Sequence, residues 1–247
     1  MIRKKALNQV MNMGGLVSEM ISVFYNEFFK EKEYEWWYKV QPGDVVVDLG
    51  ACVGMFSALA CDGGASKVYM VEGNRHLLKC AIDNVSEFMM NEPDPIVFPI
   101  NAIIGSADGV YKTIHDETTN EDIDKISFKQ LVERYDIDYI DYLKADIEGA
   151  EYDVFTEENL DYMLNNVKHM VVEVHTQATP GGLKDFFHFR DNFLNHFVDS
   201  PRHEVRTRSQ FGEVDGLFMW QDHLLKNAKP SHSYWLLYIT RKDNEEE

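Results

Sequence analysis

Two short segments of this sequence carry charged side chains whose types and spacing are suited to chemistry. In the first, Lys144, Asp146 and Glu148 alternate along a predicted strand and therefore share one of its faces. In the second, Glu173 and His175 show the same alternation. Because a histidine ordinarily titrates near neutral pH, a histidine close to carboxylates is a candidate general base. These segments predict a site that moves a proton or binds a polar ligand.

A glycine-rich turn provides the second chemical signal. It lies in Asp48-Leu-Gly-Ala-Cys-Val-Gly54, after the apolar run 45–47 and before a helix-compatible run at 55–61. This order of strand, tight turn and helix is typical of a nucleotide-binding α/β unit. A dinucleotide fingerprint needs a further glycine inside the turn, where this chain has Cys52. An adenosyl ligand without a pyrophosphate does not need it, so the turn favours S-adenosylmethionine over NAD.

Polar residues also stand at the predicted carboxyl ends of the strands, which is where ligands bind in open α/β sheets. Glu72 ends the second predicted strand, where a carboxylate can accept hydrogen bonds from both ribose hydroxyls of a nucleoside. Asn101 follows the third strand and could reach the adenine side or serve only as a turn residue. The strand ends therefore predict a nucleoside site.

Strands and helices that alternate along the chain must position these residues. Hydrophobic patterns predict strands at 45–47, 67–71, 95–99, 137–145, 167–172, 204–208 and 234–240, with a short strand at 217–220. They predict helices near 55–61, 74–85, 127–132, 152–164 and 183–197, and an irregular hairpin or loop at 104–125. The predicted fold class is α/β: a Rossmann-like, doubly wound, mostly parallel seven-stranded sheet with an antiparallel C-terminal strand.

The N-terminal residues are predicted to form a helical extension. Five apolar side chains there recur at helical spacing, namely Leu16, Met20, Val23, Phe24 and Phe28. We therefore divide the chain into an extension at 1–40 and a catalytic domain at 41–247, in a single domain overall. The acidic tail at 243–247 is predicted to fray.

The amino-acid composition restricts the kinds of partner that we expect this protein to bind. The formal net charge of −18 argues against binding to nucleic-acid backbones. Three cysteines without metal-ligand spacing, and no signal peptide, indicate a reducing setting, so we predict a cytoplasmic location. No run is apolar over the ~18 residues of a membrane span, so no membrane partner is expected. The composition does not decide whether the chain forms a homo-oligomer.

The order of the motifs resembles the FkbM-type methyltransferases over about residues 40–176. The segments that carry the resemblance are Asp48-Leu-Gly-Ala-Cys-Val-Gly54, Val71-Glu-Gly-Asn74, Lys144-Ala-Asp-Ile-Glu-Gly-Ala-Glu151 and Glu173-Val-His175. The resemblance implies a class I methyltransferase that uses S-adenosylmethionine, yields S-adenosylhomocysteine and methylates hydroxyls, often of sugars in glycans or natural products. It further implies that the glycine-rich turn holds the methionine part of the cofactor and that Glu72 holds the ribose. Asn is common in the family where Cys52 stands.

These inferences give the following site residues. The predicted cofactor-binding residues are Asp48, Gly50, Ala51, Cys52, Gly54, Glu72, Gly73, Asn74, Asn101 and Asp146. The predicted catalytic residues are Lys144, Asp146, Glu148, Glu173 and His175, with His175 or Asp146 as the general base. The carboxylates could hold Mg²⁺ or Ca²⁺, although the leading interpretation requires no metal.

Two other functions remain open at this stage. One is an NAD-type Rossmann oxidoreductase, and the other is a non-catalytic adenosyl-binding or assembly protein with the same fold. The leading prediction is an O-methyltransferase whose partner is a small-molecule or glycan acceptor.

Overall fold

A computed structural model describes residues 28, 32–89, 96–105, 111–112, 122–175, 181–209, 212–213, 218–220 and 234–242. These residues form two compact units. The first unit comprises the described residues as far as Ile103, together with 111–112 and 122–124. The second comprises 104–105 and the described residues from Lys125 onward.

The first unit is built on three parallel strands. Strand β1 (Val45–Leu49) pairs with β2 (Lys67–Val71), which pairs in turn with β3 (Val97–Ile100). Parallel neighbours require a crossover connection, and helices α1 (Met55–Asp62) and α2 (Arg75–Met89) stand in the two connections. Except for the half-buried Val45, the apolar residues of β1 and β2 are buried, as expected for strands that are covered on both faces.

The first helix packs closely on the second because a glycine precedes it. Gly54, the N-cap of α1, has a φ of 75°, and a Cβ built there would lie 2.9 Å from the Cβ of Ala81 on α2. The absence of a side chain at Gly54 therefore permits the close approach of the second helix. Asn84 of α2 then donates a hydrogen bond of 2.7 Å to the carbonyl of Val53, which fixes the turn before α1.

Short elements complete the first unit. After β4 (Ile103–Ile104), strands β5 (Tyr111–Lys112) and β6 (Asp122–Ile123) pair antiparallel, in agreement with the predicted irregular hairpin. A 3₁₀ helix spans Glu33–Glu35. The predicted N-terminal helix lies outside the described residues except for Phe28, whose ring stacks on Tyr34 at a centroid distance of 5.0 Å. The division at residue 40 stays a prediction.

The second unit begins with a mixed segment that leads into two parallel strands, β8 and β9. Its elements are β7 (Lys125–Ile126), α3 (Phe128–Arg134), β8 (Ile140–Ala145), α4 (Glu151–Val154), α5 (Glu157–Asn166) and β9 (Val167–Val174). The helix predicted near 127–132 begins with a capping box, since the side chains of Ser127 and Gln130 accept hydrogen bonds from each other's backbone N–H groups. The single helix predicted at 152–164 is two helices, because the chain turns at Phe155 and Thr156.

The second unit ends in a helical segment and antiparallel strands. These elements are α6 (Leu183–Phe189), a π-helical turn (Arg190–Leu194), α7 (Asn195–Val198), β10 (His203–Ser209), β11 (Gly212–Glu213), a 3₁₀ helix (Phe218–Trp220) and β12 (Trp235–Arg241). Strand β12 lies between β9 and β10 and is antiparallel to both.

The short strand predicted at 217–220 is wrong. Residues Phe218–Trp220 form a 3₁₀ helix instead. Its Met219 side chain is fully buried, and the Trp220 Nε1–H donates a hydrogen bond of 2.6 Å to the Oδ1 of Asn195. Tertiary packing here overrides the strand propensity of the aromatic residues.

The predicted fold class is confirmed. Seven long strands occur among the described residues, three in the first unit and four in the second, and β12 is the antiparallel C-terminal strand. Of the helices that the structure describes, none combines the length and the apolar character needed to cross a bilayer. The tail at 243–247 lies outside the described residues.

Candidate functional site

The turn after β1 is held in an unusual backbone conformation. Gly50, Cys52 and Gly54 have φ values of 74°, 51° and 75°, all in the left-handed region that favours glycine. The N–H groups of Gly50 and Ala51 both donate to the carbonyl of Val71, at 3.0 and 2.9 Å. The turn is therefore fastened to the end of β2, next to the residue predicted to hold the ribose.

That residue is Glu72, and each of its two carboxylate oxygens accepts a hydrogen bond from a backbone N–H group. Its Oε2 accepts a hydrogen bond of 2.9 Å from the N–H of Cys52, and its Oε1 accepts one of 2.7 Å from the N–H of Asn74. The side chain is half-buried. Each carboxylate oxygen can accept more than one hydrogen bond, so a fixed and partly exposed carboxylate can still accept two ribose hydroxyls. The residues present thus suit an adenosyl group.

Two asparagines predicted to contact the cofactor support this turn. The Oδ1 of Asn74 accepts from the N–H of His76 at 2.9 Å and caps α2. The Nδ2 of Asn101 donates to the carbonyls of Glu72 and Gly73, at 3.0 Å each. The side-chain amides of Asn74 and Asn101 thus bond to the protein's own backbone. Direct contacts of Gly73, Asn74 and Asn101 with the cofactor stay predictions.

Asp48 lies beneath the turn. Its side chain is fully buried, and its Oδ2 accepts a hydrogen bond of 2.7 Å from the Oγ of Ser57 on α1. The carboxylate therefore fastens α1 to β1 and has no exposed surface with which to touch a ligand. Ser57 was not singled out in the sequence, where nothing distinguishes it from an ordinary helical serine.

In the second unit, His175 follows β9 and is surrounded by carboxylates. Its Nδ1 lies 3.0 Å from the Oε1 of Glu151, and its Nε2 lies 3.5 Å from the Oε2 of Glu148 and 3.7 Å from the Oε1 of Glu173. The predicted association of Glu148 and Glu173 with His175 is thus present. The shortest of these contacts, however, involves Glu151, which was expected only to begin a helix.

The three carboxylates determine the protonation of the imidazole. Burial by itself lowers the pKa of His175, but the hydrogen bond to Glu151 and the charges of Glu151, Glu173 and Glu148 raise it to about 9. At pH 7 the ring is therefore an imidazolium, which donates a hydrogen bond from Nδ1 to Glu151 and has its Nε2 within ion-pair distance of Glu148 and Glu173. In this state His175 is a cation and a proton donor.

Two residues of this group were missed in the sequence. Glu151 is completely buried; its Oε1 also accepts from the N–H of Ile147 at 3.3 Å, while its Oε2 has no hydrogen-bond partner among the described residues. The Tyr152 hydroxyl donates to the carbonyl of His175 at 3.1 Å, and burial raises the pKa of this phenol well above its ordinary value, so it stays a donor. The signal for Glu151 was its position as the last acid of the Lys-x-Asp-x-Glu-Gly-x-Glu segment.

The remaining predicted residues of this unit lie at the end of β8. The Nζ of Lys144, which is almost completely buried, lies 3.9 Å from the Oδ2 of Asp146. Asp146, Glu148 and His175 each offer one atom that could ligate a metal, and these atoms lie within 4.8 Å of one another. The group could therefore hold a divalent cation, and the absence of a metal requirement stays a prediction.

The comparisons with known proteins bear on this arrangement. The model of the Methyltransferase FkbM domain matches residues 48–201, which is more than half of the chain. A solved methyltransferase FkbM from Methylobacillus flagellatus is similar in structure, with 14% identity and a TM-score of 0.52. The match covers 95% of this chain and 58% of that one, so this chain spans little more than half of that protein's length.

Two further solved structures resemble the chain more weakly. An O-methyltransferase from Bacillus cereus in complex with SAH shows 11% identity and a TM-score of 0.48, over 96% of this chain and 91% of that one. A SAM-dependent O-methyltransferase from Thermotoga maritima shows 16% identity and a TM-score of 0.42, over 98% and 73%. A comparison with curated proteins finds no significant match.

The family predicted from the sequence motifs is confirmed by the domain match. The matching model describes a methyltransferase domain, in agreement with the predicted enzyme class. The predicted site residues form two groups, one in each unit: the turn at Glu72, and the acidic group around His175.

Proposed function

Since this chain belongs to the FkbM methyltransferase domain family, we propose that it is an O-methyltransferase acting on a hydroxyl of a sugar, a glycan or another small molecule. When bound, S-adenosylmethionine supplies an electrophilic methyl group. The protein itself must hold the cofactor, orient the acceptor and take up the proton of the hydroxyl. We also propose a cytoplasmic location, because Cys52, Cys61 and Cys80 are free thiols.

The observation that carries this proposal is the pair of backbone hydrogen bonds to Glu72. One of the N–H donors belongs to the glycine-rich turn, at Cys52, and the other precedes α2, at Asn74. The two turns and the carboxylate are therefore fixed before any ligand arrives. A preorganised carboxylate binds a diol without loss of side-chain entropy on binding.

His175 and Asp146 remain the two candidates for the general base. With a pKa of about 9, His175 is able to accept a proton only after it has lost its own, which becomes frequent only as the pH approaches that value. A rate that rises about tenfold per pH unit between pH 7 and 8 would identify His175 as the base. A rate that stays level over this range and falls in Asp146→Asn would identify Asp146, with His175 as a cation that positions it or the acceptor.

The proposal is tested by calorimetric titration of the cofactor-stripped protein with S-adenosylmethionine, S-adenosylhomocysteine and NAD. We expect micromolar binding of the two adenosyl ligands, loss of that binding in Glu72→Ala, and no comparable binding of NAD. Glu72→Gln is a poor substitute, because its amide would place a donor against one of the two backbone N–H groups. Asp83→Ala, at an exposed carboxylate of α2, is the matched control.

Each other outcome overturns a specific part of the proposal. A preference for NAD would establish the oxidoreductase alternative. Binding of S-adenosylmethionine without methyl transfer to any acceptor in a panel of sugars and other hydroxyl compounds would establish the non-catalytic alternative. Retained adenosyl binding in a folded Glu72→Ala would show that the cofactor is held elsewhere.

A further inference from the structure

The second unit contains a cavity of about 900 Å³ that the functions assigned so far do not use. Its volume is within the range of small-molecule pockets. Its lining combines aromatic rings with charged and amide side chains. It includes Gly149 and Tyr152, which are sequence neighbours of Glu148 and Glu151 in the acidic group around His175.

One wall of the cavity is a packed aromatic cluster. The rings of Phe155 and Phe193 meet edge to face at a centroid distance of 5.6 Å, and the rings of Tyr152 and Phe189 do so at 5.3 Å. The three phenylalanines are buried, whereas Tyr152 is only half-buried. Part of the Tyr152 side chain is therefore accessible from the cavity, and the contact with Phe189 holds its ring in place.

An irregular helical turn forms part of the same wall. Between α6 and α7, the π-helical turn Arg190–Leu194 interrupts the helix, and its residues Asn192 and Phe193 line the cavity. Such turns are rare and occur frequently at functional sites. The π-helical turn is an observation independent of the cavity's volume, and it supports a ligand-binding role for this wall.

The charge at the rim is negative. Asp153 and Glu158 are partly neutralised, because Lys125 lies 3.9 Å from the first and Lys129 lies 3.7 Å from the second. Glu157, by contrast, forms no side-chain hydrogen bond or ion pair within the described part of the chain.

Asp185 adds a second negative charge to this rim. Its Oδ2 accepts only a backbone N–H, that of Gly181, at 3.0 Å. Among the described residues, Lys184 is the one lysine that lines the cavity. An acidic ligand would be repelled here, whereas an ammonium group would be attracted.

We propose that this cavity is the acceptor pocket and that it binds an amine-bearing sugar, with the ammonium group at Glu157 and Asp185 and the sugar ring against Tyr152. The inference rests on the proposed methyltransferase function, because it names the acceptor class for that activity. Tyr152 connects the pocket to the chemistry, since its hydroxyl holds the backbone carbonyl of His175. An ammonium ion over the face of an aromatic ring adds a cation–π attraction.

The test compares two disaccharides of matched size: the β-1,4 dimer of glucosamine, which carries two amines, and cellobiose, which carries none. Affinities are measured at pH 7 by ligand-observed NMR with the wild type, with the double variant Glu157→Gln/Asp185→Asn, and with the control Glu133→Gln at an exposed position of α3. We expect the wild type and the control to favour the amine-bearing dimer by about fivefold. The double variant should lose this preference, and Tyr152→Ala should bind both dimers more weakly.

The outcomes separate this inference from the proposed function. Equal affinity for the two dimers, or an unchanged preference in a double variant that unfolds at the wild-type denaturant concentration, overturns the pocket assignment even if S-adenosylmethionine binds. A clear preference for the amine-bearing dimer without any binding of S-adenosylmethionine supports the sugar site and overturns the methyltransferase proposal.

Discussion

The two candidate groups, the turn at Glu72 and the acidic group around His175, are held together by different kinds of interaction. In the first unit, backbone N–H groups hold the carboxylate of Glu72, so the geometry comes from the conformation of two turns. In the second unit, side-chain charges hold His175, so the geometry comes from which carboxylates are buried against it. A site made of backbone follows from the order of the strands and turns, whereas a site made of charges also depends on which side chains are buried together.

This contrast has an energetic consequence. The donors that hold Glu72 are neutral, and they stay in place when a neighbouring side chain changes. The pair formed by Glu151 and His175 is buried: removing Glu151 takes away the closest carboxylate of the imidazolium, and removing His175 leaves the carboxylate of Glu151 buried without a cation. Substitutions should therefore affect folding more strongly in the second group than in the first.

The largest effect is expected for Glu151→Ala. It leaves the imidazolium of His175 without its closest carboxylate, and breaking a buried ion pair in this way costs about 3–5 kcal/mol. Urea denaturation at pH 6.5 measures the change in the free energy of unfolding. Glu151→Gln, which can still accept a hydrogen bond from Nδ1, should fall between Glu151→Ala and the wild type.

Glu158→Ala is the matched control, because this glutamate is exposed and its pairing with Lys129 is a surface one. It should change stability by less than about 1 kcal/mol. If Glu151→Ala is no more destabilising than this control, charge does not hold the second group together and the contrast between the two groups fails.

The sequence predicted the strand, turn and helix of the first group correctly, whereas the roles of its residues stay predictions. Gly50, Gly54 and Glu72 are tied to positions at strand ends, and those positions follow from the alternation of strands and helices. Turn chemistry of this kind is local, and the structure has the strand, turn and helix where the pattern placed them.

The second group was predicted only in part, because burial and pairing are not local. No sequence pattern indicates that Glu151 and His175 are buried together, and only the folded structure shows that their side chains meet. The same reason underlies the error over the charge state. The ordinary pKa of histidine suggested a base near neutrality, whereas three surrounding carboxylates make His175 a cation. The strand predicted at 217–220 was also wrong because of tertiary packing, here of Met219 and Trp220 in a 3₁₀ helix.

The next largest effect is expected from pH. The pKa of His175 is about 9 in the folded protein, against 6.5 for an unperturbed histidine, so the folded state binds the proton more tightly than the unfolded state. The resulting stability is fully present below pH 6.5 and is lost as the pH rises through about 9. The loss should be about 3 kcal/mol.

Urea denaturation from pH 6 to 9.5, with a chelator present so that no cation competes for the carboxylates, measures this loss. His175→Gln, which has no proton to lose, should remove most of the slope over this range. A wild-type slope that survives in His175→Gln would have to come from other groups, and the second group would then not depend on an imidazolium.

The smallest predicted effect concerns the first group and has the opposite sign. Cys52 occupies the left-handed region with a φ of 51°, where asparagine is several-fold enriched over most residues other than glycine. Because the contact to Glu72 comes from the backbone N–H of residue 52, Cys52→Asn keeps that contact and relieves strain. We expect a gain of about 1 kcal/mol in the free energy of unfolding, without weaker binding of S-adenosylmethionine.

The control is Cys80→Asn, at a half-buried helical position of α2 where the two residues have similar propensity and no gain is expected. If Cys52→Asn instead destabilises the protein or weakens cofactor binding, the side chain at position 52 contributes to the turn, and the first group is not built from backbone alone.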